Sequence, residues 1–299
     1  MIHYDPHKWL DHFFDVRGTL VKEIGVRVAV CVVWAAGVVY FHKTYMQVDI
    51  PITLHSLVGV ALGLLLVFRT NASYDRFWEG RRLWGGIVNE TRNLVRGAAV
   101  HLDDNPRLLQ ALAKWTALFP WATMNSLRDE FDLGPLASEL TDEELSGIRT
   151  AQHRALYVAQ KMSSLVGSMK AQGYITDIVY VALDQNIQLL VDYLGGCERI
   201  RKTPLPFAYV VHLRRALVVY CFTLPFALVG TFGWFTLLDV LLISYTFFGI
   251  EEIGVEIEGP FGDDANDLPM RDISETIRRN LSSMSGTRKL EREKLPEGL

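Results

Sequence analysis

Residues 50–68 read IPITLHSLVGVALGLLLVF, a run of 19 residues without a formal charge, bounded by Asp49 and Arg69. At about 1.5 Å per residue a helix of this length spans roughly 28 Å, close to the hydrocarbon thickness of a bilayer, so the run predicts a transmembrane helix. Upstream, residues 28–41 (VAVCVVWAAGVVYF) are only 14 uncharged residues. With Arg27 snorkelling at one end and Lys43 at the other, they predict a crossing helix of about 18 to 20 residues. Downstream, residues 216–250 form a run of 35 whose single charge is Asp239, interrupted by Pro225, Gly230 and Gly233. This stretch reads as two helices joined by a tight turn, which brings the expected count to four spans.

The rest of the composition fits that frame. The chain has 299 residues, 49% hydrophobic, with 30 Lys+Arg against 34 Asp+Glu. That hydrophobic content excludes a disordered chain, and a formal net charge of -4 argues against a dedicated nucleic-acid binder. Cys31, Cys197 and Cys221 are far apart in sequence, so neither a disulfide framework nor a thiolate zinc site is suggested. The outer loops would be residues 43–49 and the turn near Gly230, which together hold one basic residue, Lys43, of the 30. Arg17, Lys22, Arg27, Arg69, Arg76, Arg214 and Arg215 flank the spans on the opposite side, so the positive-inside rule places both termini and residues 69–215 in the cytoplasm, with the chain in the cell's inner (plasma) membrane. The first residues lack the order of a cleaved signal, and the first span is expected to be retained.

Residues 71–126 carry apolar positions at helical spacing, interrupted by DDNP at 103–106. Thr141-Asp-Glu-Glu144 is a capping box that opens a second helical stretch to about Ala171, ended by Gly173, and another helix runs from Thr176 to about Cys197. No useful alternating strand pattern occurs. The expected fold is an all-α integral membrane protein, with a helical cytoplasmic domain inserted between the second and third of four transmembrane helices. Its parts are an N-terminal segment (1–24), transmembrane helices 1 and 2 (25–69), the cytoplasmic helical domain (70–207), transmembrane helices 3 and 4 (208–250), an acidic loop and helix (251–281), and a tail (282–299) that is mobile or straps a neighbouring subunit.

Enzyme signatures are missing: there is no Gly-rich phosphate loop, nucleophile elbow, HExxH or CxxC. His3, Asp5 and His7 read as solvated polar residues before they read as a metal site. His55 and Asp239 are ionisable groups within membrane runs, each readable as a functional group or as an interfacial or locally hydrogen-bonded one. Gly59 and Gly63 form a small-xxx-small pair that lets helices approach closely. Val60, Leu64 and Phe68 fall at i, i+4 and i+8 and share one face. Such a stripe either meets lipid, as on any embedded helix, or lines a hydrophobic constriction among several copies. Residues 68–84 are dense in Arg and aromatics, an interfacial belt. Glu251, Glu252, Glu256 and Glu258 precede Asp263, Asp264 and Asp267, a cluster that either binds or attracts a cation or is a solvated polar loop, without EF-hand spacing.

FRTNASYDRFWEGRRLWGGI (68–87), GCERI (196–200) with TPLPFAY (203–209), TLPFALV (223–229) and EIEGPFGDDANDLP (256–269) together resemble the bestrophin family, in order and placement across nearly the whole chain. The likeness is greatest to its compact bacterial members. It implies a homopentameric ion channel, not an enzyme, assembled around a central pore among membrane lipids. It further implies a neck lined by Val60, Leu64 and Phe68 and a second, cytosolic constriction at Ile178. In animal members a calcium clasp uses the acidic loop, where Asp264 and Asp267 match two carboxylate positions. Gly259, Ala265 and Glu256 depart from the clasp's pattern, so calcium dependence is expected to be weak or absent and no cofactor is required. The bacterial likeness, the net charge and the acidic residues Glu256, Asp263, Asp264 and Asp267 lean toward monovalent cations such as sodium. Chloride, as in animal bestrophins, is the alternative, with Arg69 and Arg76 pulling that way. A membrane-anchored interaction protein without transport is the rival from another class.

Overall fold

The computed structural model describes His7 and residues 20–286. His3, Asp5, Arg17 and residues 287–299 lie outside the described residues, as does most of the 1–24 segment. The described residues form α-helices and short 3-10 turns without a strand: α1 (Val21–Thr44), α2 (Ile52–His101), α3 (Pro106–Arg128), α4 (Asp142–Thr150), α5 (Arg154–Ala171), α6 (Asp177–Lys202), α7 (Phe207–Phe232), α8 (Thr236–Glu256) and α9 (Met270–Gly286), with 3-10 turns at Gly134–Glu139 and Gly233–Phe235. The expected all-helical class stands.

Several boundaries differ from expectation for identifiable reasons. The first span is a helix of 24 residues, because Glu23 in the first turn and His42 and Lys43 in the last complement the helix dipole and prolong it beyond the apolar run. α2 does not stop at Arg69. It continues to His101 as one helix of 50 residues, roughly 75 Å long, since no proline interrupts residues 52–101. Pro225 does not break α7. Trp34 Nε1 donates to Phe222 O at 2.9 Å and the Ile50 N–H donates to Phe226 O at 3.0 Å, so outside donors serve the carbonyls around the proline. The break falls at Gly233, whose φ of 54° is free of strain only for glycine. Three continuous helical stretches are therefore long and apolar enough to cross a membrane, Val21–Thr44, Ile52–His101 and Phe207–Glu256, the last of them divided at Gly233.

The capping box is present as read: Glu144 N–H donates to Thr141 Oγ1 at 3.2 Å and Thr141 N–H to Glu144 Oε2 at 3.0 Å. The helix it opens ends at Thr150, however, and α5 starts afresh with His153 as N-cap, its Nδ1 accepting from the Leu156 N–H at 3.3 Å. Glu251, Glu252 and Glu256 lie on α8 and not in a loop, and residues 282–286 belong to α9 and not to a tail.

The chain divides into two compact units. The first comprises residues up to Trp78 with Thr203–Pro260 and Asp264–Asp267; the second comprises Glu79–Lys202, Phe261–Asp263 and the residues from Leu268. In the first unit α1, the start of α2, α7 and α8 pack around Val28, Leu62, Leu66, Leu217, Leu224 and Val240. Arg214, near the start of α7, pairs with Glu251, near the end of α8, at 2.9 Å, so the two helices run antiparallel as a hairpin about Gly233. Opposite that end, Lys43 Nζ lies 5.5 Å from the Trp234 ring centroid and a Cβ on Gly230 would meet Asp49.

The second unit is built on α3, on which residues 115–125 are all buried. Asn105 caps α3 by accepting from the Leu108 N–H at 3.2 Å, with Pro106 at the first helical position. Gly134, at φ 55°, lies directly against the Trp121 ring, where a Cβ would collide. α6 lies along the later part of α2: Leu83 abuts Gly196, Tyr193 abuts Gly86 and Leu183 abuts Gly97. Burial pushes the Cys197 thiol of α6 up to about 12, and all three cysteines are buried and free.

Candidate functional site

The neck candidates are placed by helix periodicity. Val60, Leu64 and Phe68 occupy one face of α2 and are 75%, 54% and 57% exposed, whereas Leu62 and Leu66 between them are buried in the first unit's core. The same apolar helix thus packs one side and leaves a stripe of large side chains uncovered by its own chain. Gly59 serves the packed side, since a Cβ there would come within 2.7 Å of Tyr220 Oη, while Gly63 has open space. The small-xxx-small pair is therefore half used within the chain. His55 is buried by packing: its Nε2 is 2.9 Å from Thr223 Oγ1 and its ring lies 5.2 Å from that of Tyr220. Asp239 sits in the first turn of α8, where exposed backbone N–H groups favour a carboxylate, and its Oδ2 is buried without a hydrogen-bond partner.

One residue beyond the stripe the polarity inverts. Arg69 is fully buried, and its Nη1 donates to Glu251 Oε1 at 2.8 Å. The same oxygen accepts from Arg214 Nε at 2.9 Å, and Glu251 Oε2 lies 3.6 Å from Arg27. Arg27 also donates to Glu252 at 2.6 Å, and Glu258 lies 3.7 Å from Arg69 while accepting the Leu205 N–H at 3.1 Å. Arg76 Nε donates to Glu258 O at 3.2 Å, and its Nη1 donates to Thr203 O. Each of the four helices packed in the first unit contributes: Arg27 from α1, Arg69 from α2, Arg214 from α7, Glu251 and Glu252 from α8. Three guanidinium groups face three carboxylates, so the cluster is formally neutral and its buried charges are paired. Sequence reading placed Arg27 as a snorkelling residue, Arg69 as a pull toward anions, and Glu251, Glu252 and Glu258 in a cluster that either attracts a cation or is a solvated loop; it did not anticipate that these residues pair with one another. The available signal was that each stands at the same end of an apolar run.

The acidic loop is divided. Asp263 belongs to the second unit and accepts from Arg128 at 2.8 Å, and Arg128 also donates to Phe261 O at 3.0 Å. Glu256, Asp264 and Asp267 belong to the first unit. There Asp267 Oδ2 is turned back onto the Asp264 N–H at 2.8 Å, and Glu256 accepts from Asn266 at 3.1 Å. Among the described residues no group of three or more His, Cys, Asp or Glu side chains is gathered to hold a metal.

Ile178, the second residue of α6, is 83% exposed at the open end of that helix. The Val179 N–H reaches Thr176 Oγ1 at 3.4 Å, and Asp177 pairs with Lys170 at 2.8 Å, so the turn that presents Ile178 is tied at both sides.

Residues 1–283 match the family described as Bacterial/Fungal Bestrophin protein. A voltage-dependent anion channel-forming protein of Nostoc sp. (strain PCC 7120) is 39% identical over 286 residues, covering 93% of this chain and 92% of the relative. A voltage-dependent anion channel-forming protein of Escherichia coli (strain K12) is 31% identical over 299 residues, covering 99% and 98%. The crystal structure of a bacterial bestrophin homolog from Klebsiella pneumoniae superposes with a TM-score of 0.84 at 33% identity, covering 88% of this chain and 98% of that one. With sequence match and fold in agreement over most of its length, the chain belongs to the bacterial/fungal bestrophin family.

Proposed function

We propose that the chain is one subunit of an ion channel, a homopentamer that passes monovalent ions passively through a central pore, and not an enzyme. The observation that carries the reading is the uncovered stripe Val60, Leu64 and Phe68 on a helix whose opposite side is packed. Gathered from several copies around an axis, such side chains form an apolar neck in which water and ions are held only at a cost, so the neck gates by dewetting. Ile178 forms a second apolar constriction.

The four helices of the first unit cross the membrane, α7 and α8 as separate spans. The end bearing Arg27, Arg69, Arg76, Arg214 and Arg215 faces the cytoplasm of an inner-membrane protein, by the excess of basic residues there. Both termini follow to that side. Calcium is not required, in keeping with carboxylates of Glu256, Asp263 and Asp267 that accept from protein donors.

For the sign of the ion, the bacterial likeness and a net charge of -4 favour sodium and other monovalent cations. A second reading, anion conduction, is favoured by two observations. Relatives carry the name of anion channel-forming proteins, and Glu251, Glu252 and Glu258 are neutralised by arginines and withdrawn from the acidic field. Planar bilayers containing the purified protein under a NaCl gradient test both. Current reversing toward the sodium potential supports the cation channel, reversal toward the chloride potential replaces it with the anion channel, and silence from folded oligomer turns the reading to a tethered interaction protein.

A further inference from the structure

The second unit carries two oppositely charged surfaces without ion pairs among the described residues. The later part of α2 bears Arg81, Arg82, Arg92 and Arg96, and at 100° per residue these four fall within about a third of the helix circumference. Arg81, Arg82 and Arg96 are exposed, Arg92 is half-buried, and none of the four has an ion pair among the described residues. The adjoining sector of α2, which contains Leu83, Gly86 and Gly97, is taken up by α6 of the same chain. No carboxylate shares the arginine sector.

The opposite chemistry lies between α5 and α6. A groove of about 370 Å³ there has an aliphatic floor that includes Ile187 and Val191, amides Gln160 and Gln188, and two carboxylates, Asp184 and Asp192, with no basic residue in its lining. Asp184 accepts a long bond from Gln188 at 3.3 Å, and Asp192 has no ion pair among the described residues. An apolar floor with carboxylates at its rim suits an arginine, whose methylenes lie on aliphatic surface while the planar guanidinium forks onto the acid. The two carboxylates are eight residues apart, roughly 12 Å along the helix; Arg82 and Arg92 are ten apart, roughly 15 Å. That difference is within the reach of two long side chains.

We propose that the arginine face of α2 in one copy docks into the Asp184–Asp192 groove of a second copy, forming the repeating contact of the oligomer. The two surfaces are different patches of one chain, so the contact is head-to-tail, the kind that closes into a ring when the rotation between copies permits. This inference rests on the oligomeric reading above and adds to it the residues that hold neighbours together.

The full chain in mild detergent, weighed by native mass spectrometry, tests it. Asp184→Lys with Asp192→Lys should abolish the oligomer, Arg82→Asp with Arg92→Asp should do the same, and combining all four reversals should restore it. Because a reversed variant can fail for want of folding, a second measurement uses Asn89→Cys, exposed in the arginine sector, with Gln188→Cys. The native cysteines are buried. Oxidation should give a ladder of covalent multimers that neither single variant gives. An oligomer that survives the groove reversals, or a double-cysteine protein without a ladder, overturns the contact while leaving the oligomer in place. A monomeric wild type overturns both.

Discussion

Leu64 and Arg69 stand five residues apart on one helix and follow opposite rules. Leu64, with Val60 and Phe68, is large, apolar and uncovered; Arg69 is charged and fully buried. In a water-soluble domain this would be an inside-out arrangement, with apolar side chains facing solvent and a cation taken from it at large cost. Here the contrast locates two environments. Apolar surface left bare on a lipid-length run has a medium or a neighbour other than bulk water to meet, and a buried arginine whose charge is matched by Glu251 is a fastener where α2, α7 and α8 converge.

The contrast is broken most severely by Glu251→Gln, which leaves Arg69 buried beside a neutral amide. Losing one partner of a buried pair should cost about 3–5 kcal/mol, read as a large fall in thermal midpoint and loss of monodisperse protein in detergent. An unchanged midpoint would mean that the cluster is solvated and not a fastener. The apolar half is sharpened by two neighbouring leucines. Leu66→Ala, at 1% exposure, should cost about 2–5 kcal/mol, while Leu64→Ala, at 54%, should stay within about 0.5 kcal/mol. Equal losses would erase the distinction between the two faces of α2. A similar pair is Gly59 and Gly63. Gly59→Ala drives a methyl against Tyr220 and should cost about 1–3 kcal/mol, partly recovered by Tyr220→Phe, whereas Gly63→Ala meets open space and should be neutral or slightly stabilising.

The smallest effect carries the contrast to a half-exposed charge in the second unit. Burial alone would raise the Glu144 carboxyl, but the Lys114 ammonium, 2.9 Å from both its oxygens, and the Thr141 N–H together hold it below the ordinary carboxylate range. A depressed folded value means that its stabilisation is present above the unfolded value and fades as pH falls through the folded one. Glu144→Gln should therefore cost about 1 kcal/mol at neutral pH, and the gap to wild type should close in acid, as followed by thermal melts across pH. A constant gap would place the effect in the cap's geometry and not in its charge.

Much of this architecture was legible before any coordinates. Uncharged runs of bilayer length marked the membrane helices, and spacing alone put Val60, Leu64 and Phe68 on one face. Thr141 and Glu144 announced their cap through a local rule that needs only four residues. What could not be read depended on partners distant in sequence. Nothing local to Arg69 says that it lies against Glu251, 182 positions away; in sequence it is only the charge that bounds an apolar run. The continuity of α2 was also hidden, because a charge that ends a membrane run resembles a helix end although arginine is a good helix former. The turn in the last apolar run was blurred by Pro225, a strong breaker in water that the helix carries here, while the positive φ that makes Gly233 the true break has no separate mark in the sequence.

The central claim, that the uncovered stripe is an ion gate, is tested most directly by single-channel recording of the wild type beside the triple variant Val60→Ala, Leu64→Ala, Phe68→Ala in planar bilayers with symmetric NaCl. All three side chains lie outside the chain's core, so the variant should fold and assemble. Removing apolar bulk from a dewetting neck should raise open probability and current severalfold. Currents identical to wild type, from protein of the same oligomeric mass, would contradict a gate at this stripe.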